Sequence, residues 1–448
     1  MRVGIIGGGL MGLALAERLA SAGHRVSLYE RDAQPGGLAT WHDFGRFFWD
    51  RFYHVILPTD LALVEFLTRL GLGASIRWRP TRTGYYVDGR FYSLSNGLDF
   101  LRFPLLGPWS KFRLVLTVLY CSRISDWRRL ERMTVEEFLV RTSGRATFEK
   151  FWKPLLLAKL GQNYRRVSAV FIWTYIKRLY SARDAVAQKE QLGYVSGGYR
   201  RVIQLVTDLI TRSNGAVHTG AEVEAVSPAG ASGIEVIVDG RPQSFDKVIF
   251  AGPVDSMRKV AAPELVQLPP PADVEYLGVI CAVLVTRKPL APYYVVNIAD
   301  ERVPFTGVIG MSTVVATEET AGLYLTYLPK YVLSDDPLLK RPAEELQALF
   351  MSGFREMFPA FDPGDIEAIH LNRAFRVQPL QVLNYSQRVQ STRTLHPDFY
   401  VVNTAQFVNT TLNNNEVIKA VNAFMHDFGE QFAAGPPESG TLAGPAAA

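Results

Sequence analysis

Apolar and polar positions divide the chain into segments of different period. Residues 3–6 form a short uninterrupted apolar run, suited to a parallel strand buried on both faces, and give way to Gly7, Gly8 and Gly9. From 10 to 22 the apolar residues recur at helical spacing, Gly23 stops the helix, and 24–29 returns to a strand pattern. A second unit opens at Gly197 and Gly198, with Val202, Leu205, Val206, Leu209 and Ile210 on one helical face before another strand. At the far end, 399–402 reads as a strand and 415–424 as a helix. The stretch between them is crowded with amides, including Asn403, Gln406 and Asn409, which favour turns and caps.

The intervening segments follow other rules. "TGYYVDGRFYSL" carries a hairpin signal at Asp88-Gly89, and Pro104 and Pro108 punctuate a predicted helix over 109–123. That helix has apolar Trp109, Phe112, Val115 and Leu116 beside Lys111, Arg113 and Arg123. Two readings stand for 104–120: a helix lying in a membrane interface, or a core-facing helix with snorkelling cations. Residues 148–184 look helical, and Trp152, Leu155, Leu156, Leu160, Phe171, Trp173 and Tyr175 are expected to pack the interior. From 256 to 375 the runs "LGVICAVLVTR", "PYYVVNI", "FTGVIGMST" and "GLYLTYLPK" predict an antiparallel sheet flooring a pocket. In the last run, Tyr324 and Tyr327 face opposite sides of a regular strand. Tyr327 shares its face with Leu323 and Leu325, so Tyr324 is the expected cavity residue, with an ordinary strand aromatic as the alternative.

Composition alters this picture little. The 448 residues suit two or three domains, and Cys121 and Cys281 fit neither a disulfide scaffold nor a zinc site. No signal peptide, spanning helix or metal-ligand cluster is evident. The net charge of +5 is unevenly placed, because residues 77–132 hold eleven Lys or Arg against four Asp or Glu. No nucleic-acid motif accompanies that surplus, so an anionic membrane surface or an anionic substrate is the better partner.

Gly7, Gly9 and Gly12 fall in the G-x-G-x-x-G spacing between strand and helix, and Glu30 closes the next strand. Such a turn lets a pyrophosphate approach the backbone at a helix N-terminus, while the acidic residue meets a ribose. Arg31 and Pro35-Gly36-Gly37 then follow directly. This pairing resembles the two fingerprints of FAD enzymes of the amine oxidase, protoporphyrinogen oxidase and phytoene desaturase superfamily, which includes UDP-galactopyranose mutase. "LGYVSGGYRRVIQLV…", "FDKVIFAGP" and the C-terminal strand–loop–helix resemble later family segments in the same order.

The resemblance implies FAD. Gly7, Gly9, Leu10, Met11 and Gly12 would meet the diphosphate, Glu30 the ribose, and Arg31 the phosphate region. Gly36, Gly37 and Leu38 would pass beside the flavin. Backbone atoms of Val223 would pair with adenine, and Asn403, Thr411 and Leu412 would approach the ribityl and pyrimidine side. Asn403-Thr404 stands where the family carries Gly-Asp, a departure that bears on redox tuning. Asn413 or Asn414 should cap the final helix. Asp50, Arg51, Tyr53 and His54 follow the second glycine loop and are the polar candidates for the reaction, with Tyr324; Arg376 and Gln378 come after them. His54 reads either as a base or flavin partner, or as a structural histidine.

The implied fold is α/β: a Rossmann-type FAD-binding domain, glutathione-reductase or p-hydroxybenzoate-hydroxylase-like, with an inserted α+β substrate domain holding an antiparallel sheet and a helical subdomain. The FAD domain would comprise 1–75, 191–255 and 376–432, the substrate domain 76–190 and 256–375, and 433–448 a disordered tail. The implied activity is hydride abstraction from an apolar or amine-bearing small molecule, with electrons passed to O2 or a quinone. The alternative is a redox-neutral sugar-nucleotide mutase. The expected location is cytoplasmic, peripheral at the inner membrane face if 104–120 is interfacial.

Overall fold

The computed structural model describes residues 1–181, 191–230, 232–266 and 274–432. The expected tail at 433–448 lies outside the described residues. Five parallel strands form the first sheet, in the order Phe399–Val401, Lys247–Phe250, Arg2–Ile6, Arg25–Glu30, Ala216–Thr219. The central strand is buried from Val3 to Ile6, as its unbroken apolar run requires. Helices Leu10–Ser21, Gly198–Arg212 and Asn414–Phe428 share one core with this sheet through Leu13, Leu15, Val202, Val206, Val417 and Val421. A three-stranded antiparallel sheet, Val223–Pro228, Ile234–Val238 and Arg241–Phe245, packs beside it.

A seven-stranded sheet forms the second layer, in the order Ile366–Pro379, Tyr276–Thr286, Tyr324–Leu333, Gly307–Gly310, Val295–Ile298, Thr83–Val87, Arg90–Ser93. It is antiparallel except between Val295–Ile298 and Thr83–Val87, which run parallel. The hairpin at its edge turns through Asp88 and Gly89, both at positive φ, as its Asp-Gly pair foretells. Helix Ala343–Met357 covers one face through Leu346, Phe350 and Phe354, an element absent from the strand-only reading of 256–375. The helices Pro108–Arg123, Val135–Ser143, Lys153–Leu160 and Ala169–Ser181 form a separate core containing Leu114, Phe138, Leu156 and Val170.

Candidate active site

One cavity of about 1380 Å³ links the two layers. It begins at the C-terminal ends of the parallel strands, where Ile6, Glu30, Phe250 and Thr404 line it, the usual ligand position on an open α/β sheet. It continues between helices Lys153–Leu160 and Ala169–Ser181 and the seven-stranded sheet, lined there by Leu155, Phe171, Tyr331 and Gln378. A single drug-sized ligand needs about 300–1,000 Å³, so the space suits an extended cofactor with a substrate beyond it.

The glycine turn is shaped for a ligand. Gly12 is packing: a Cβ there would stand 1.9 Å from the Gly7 carbonyl oxygen, so only glycine lets the helix sit on the strand. Gly9 differs, because a Cβ there would meet nothing of the protein within 4 Å and the residue faces the cavity. Its φ of −66° suits any residue, so the open space, not backbone strain, distinguishes it. Gly36 (φ 112°) and Gly37 (φ 57°) need left-handed geometry, and Gly36 N donates to the Gly8 carbonyl at 2.7 Å, tying the second glycine loop to the first. Glu30 accepts from Gly8 N at 2.7 Å and Asp32 N at 2.8 Å. A carboxylate has about four lone-pair sites, which leaves capacity for ribose hydroxyls.

Leu10, Met11, Arg31 and Leu38 line the same half, as does Val223. Thr411, Leu412, Asn413 and Asn414 close it at the N-terminus of helix Asn414–Phe428, where Asn413 caps Glu416 N at 3.1 Å. Asn403 is placed differently from the expectation. It is buried, its Oδ1 accepts from Ala405 N at 3.1 Å, and it is not among the cavity-lining residues. The turn at Thr404–Gln406 takes its Oδ1 as a cap and leaves its buried Nδ2 without a hydrogen-bond partner among the described residues, and Thr404 faces the cavity instead. With that exchange, this end of the cavity fits FAD: the glycine loops for the diphosphate, Glu30 for the ribose, and a helix N-terminus for electron-rich oxygens.

At the other end, Arg51, Tyr53 and His54 line the cavity, and Arg376 and Gln378 do too. Asp50 does not: it is buried behind them, accepting from Tyr199 N at 2.7 Å. Burial pushes the Asp50 carboxyl up to about 8 and the His54 imidazole down to about 4. Their closest approach, His54 Nδ1 to Asp50 Oδ2, is 3.8 Å, so near neutral pH they are two uncharged groups, not an ion pair. His54 is thereby a weak base, better suited to hydrogen bonding than to proton removal.

Tyr324 is also outside the cavity lining. The strand parity and the core position of Tyr327 are as expected, but the cavity residue of this strand is Tyr331, on the Tyr327 side. Leu325, Tyr327 and Tyr331 share the inward side; Tyr327 donates to the Asp50 carbonyl at 2.5 Å, and Tyr331 reaches the cavity and meets the Tyr53 hydroxyl at 2.6 Å. Burial raises both Tyr53 and Tyr331 well above the usual phenol range. Trp152, Leu155, Leu156, Leu160, Phe171, Trp173 and Tyr175 all belong to or pack against the helical core as expected, and Trp152, Leu155, Leu156, Phe171 and Tyr175 also line the cavity. Lys159, unremarked in the sequence, lines it as well.

The family described as "Flavin containing amine oxidoreductase" matches residues 10–398. Zeta-carotene desaturase of Synechocystis sp. is 26% identical over 211 residues, covering 41% of this chain. The chain spans less than half the length of the curated relatives it matches, 42% in that case. Among solved structures, wild-type putrescine oxidase bound to putrescine superposes with a TM-score of 0.73 at 16% identity, covering 96% of this chain and 99% of that one. Reduced UDP-galactopyranose mutase does so at 0.71 and 16%, covering 96% of each. At such identities the superpositions establish the fold, and the differing chemistries of the three proteins show that the fold does not choose a substrate.

Proposed function

The chain belongs to the flavin-containing amine oxidoreductases, FAD-dependent enzymes, and from that premise we propose that it removes hydride from a C–H bond of an apolar small molecule held between helices Lys153–Leu160 and Ala169–Ser181 and the seven-stranded sheet. The observation that supports this reading is the single cavity joining the glycine loops to an aromatic and aliphatic chamber. FAD, when bound, supplies the two-electron acceptor. The chain's own residues orient substrate and exclude water: Trp152, Leu155, Leu156, Phe171 and Ile172 give the apolar wall, and the Tyr53 and Tyr331 hydroxyls remain protonated donors. Asp50 and His54, both neutral, keep uncompensated charge away from the chamber. Electrons then pass to O2 or a quinone.

The test is anaerobic mixing of the FAD-loaded protein with a panel of apolar amines, apolar carboxylates and isoprenoids, phytoene included. Loss of visible flavin absorbance, restored by an electron acceptor in equal stoichiometry, is the expected result. Turnover of a sugar nucleotide with no acceptor consumed would favour the redox-neutral mutase and overturn the hydride reading.

We propose in addition that the protein rests on an anionic, cytoplasm-facing membrane surface. What supports this is the outward face of helix Pro108–Arg123, where Trp109 (68% exposed), Phe112 (51%), Leu116 and Tyr120 lie beside exposed Leu98 and Leu101 of helix Gly97–Arg102. Exposed Arg102 and Arg123 and half-buried Lys111 border them. No helix among the described residues is long and apolar enough to cross a membrane, so contact would be interfacial.

A further inference from the structure

The charges lining the cavity are not evenly divided. Its acidic groups, Glu30, Asp32 and Glu222, all stand at the glycine-loop end, on or beside the parallel strands. The chamber beyond is bordered by Lys159, Arg178, Arg51, Arg373 and Arg376. Arg178 has its own counter-ion, Asp60, at 3.0 Å, Arg376 has Asp255 at 2.5 Å, Arg373 donates to the backbone carbonyls of Leu339 and Arg341, and Arg51 donates to the Arg373 carbonyl at 3.4 Å. Lys159 is in another position. It follows Trp152, Leu155 and Leu156 at helical spacing, so one helix face delivers three apolar side chains and one ammonium to the chamber. Its Nζ lies 3.0 Å from the centre of the Tyr331 ring, and no carboxylate pairs with it among the described residues. The helix is tied down one residue before Lys159, where Thr306 Oγ1 donates to the Ala158 carbonyl at 2.8 Å.

We infer that the substrate carries a carboxylate on an apolar body, and that Lys159 is the residue that receives it. The inference rests on the proposed FAD-dependent reading of the cavity and specifies its substrate class. An ammonium in an apolar chamber is costly unless paired, and Lys159 accordingly falls to about 7 through burial. A bound carboxylate removes that cost and gains a charge-assisted hydrogen bond, while the apolar remainder fills the space between the two helices. A protonated amine gains neither: it would bring a further cation to a chamber already bordered by five and lined by no acid among the described residues. Lys159 is therefore a specificity-determining residue, and the substrate is anionic although the family takes its description from amines.

The test compares three probes of equal chain length, dodecanoate, dodecan-1-ol and dodecylamine, by calorimetric titration of the FAD-loaded protein. Dodecanoate should bind at least about ten-fold tighter than either neighbour, the scale of one charge-assisted contact. Lys159→Met should abolish that preference while leaving dodecan-1-ol within about two-fold, and Lys159→Arg should restore most of it. Dodecanoate that fails to bind, or binds no better than dodecylamine, overturns the inference without any variant being needed; so does a preference unchanged in Lys159→Met. The visible spectrum recorded before titration separates the two levels: yellow protein indifferent to dodecanoate defeats only the substrate class, whereas protein that takes up no FAD defeats the reading beneath it.

Discussion

Asp50 and His54 share one buried corner and respond to pH in opposite senses. Asp50 is raised in the folded state, so its contribution to stability is full below the ordinary carboxylate range and is lost as pH rises toward about 8. His54 is lowered, so its contribution is present above the ordinary imidazole range and lost as pH falls toward about 4. Asp50→Asn keeps an acceptor for Tyr199 N but cannot ionise. Thermal or urea melts should therefore show wild type losing stability relative to Asp50→Asn by roughly 1 kcal/mol per pH unit between about pH 5 and 8, with the maximum of the variant moved to higher pH. Parallel curves would refute the neutral Asp50. At this scale the glycines were legible, because a turn beside a phosphate leaves a spacing in the sequence. Tyr331 and Lys159 were not: parity says which residues share a face of a strand or helix, but not which face looks into a cavity formed by a distant element. Asn403 misled for a related reason, since an amide that binds a ligand and one that caps its own turn look alike in sequence.

Helix Pro108–Arg123 shows what an element's pattern can and cannot disclose. Leu114, Thr117 and Cys121 face the helical core, and Trp109, Phe112, Leu116 and Tyr120 face outward, so both sides are apolar. The sequence therefore supports a core-facing helix and an interfacial one together, and only the packing separates the two surfaces. Because Trp109 and Phe112 are more than half exposed and their rings stack on each other, Trp109→Glu with Phe112→Glu should change stability by no more than about 0.5 kcal/mol per site. The same variant should cease to sediment with vesicles containing anionic lipid, whereas wild type should pellet with them; equal sedimentation would dismiss the membrane contact. Helix Ala343–Met357 escaped notice because the aromatic strands around it set the apparent period of the whole segment. The parallel pairing of Val295–Ile298 with Thr83–Val87 joins strands some 200 residues apart, and nothing in either strand's own pattern specifies that partner.

Across the whole molecule, three separated stretches assemble the cofactor half: the opening βαβ unit, the Gly197-Gly198 unit, and the strand–loop–helix from Phe399 to Phe428. Each carries its own turn or cap signal, so their order could be read along the chain, and the parallel sheet places them side by side. The substrate half lacked such signals, being made of ordinary apolar helices and strands whose meaning comes from the gap left between them. The central claim is that a dinucleotide diphosphate crosses the opening glycine turn, and Gly9 tests it most directly, since a Cβ added there meets nothing of the protein within 4 Å and the residue lines the cavity. FAD content per chain should be measured by visible absorbance in wild type and Gly9→Val after reconstitution, with circular dichroism as the check on folding. The account expects about one FAD per wild-type chain and almost none in a folded Gly9→Val; a wild type that takes up no FAD, or a folded variant that holds as much, would contradict it.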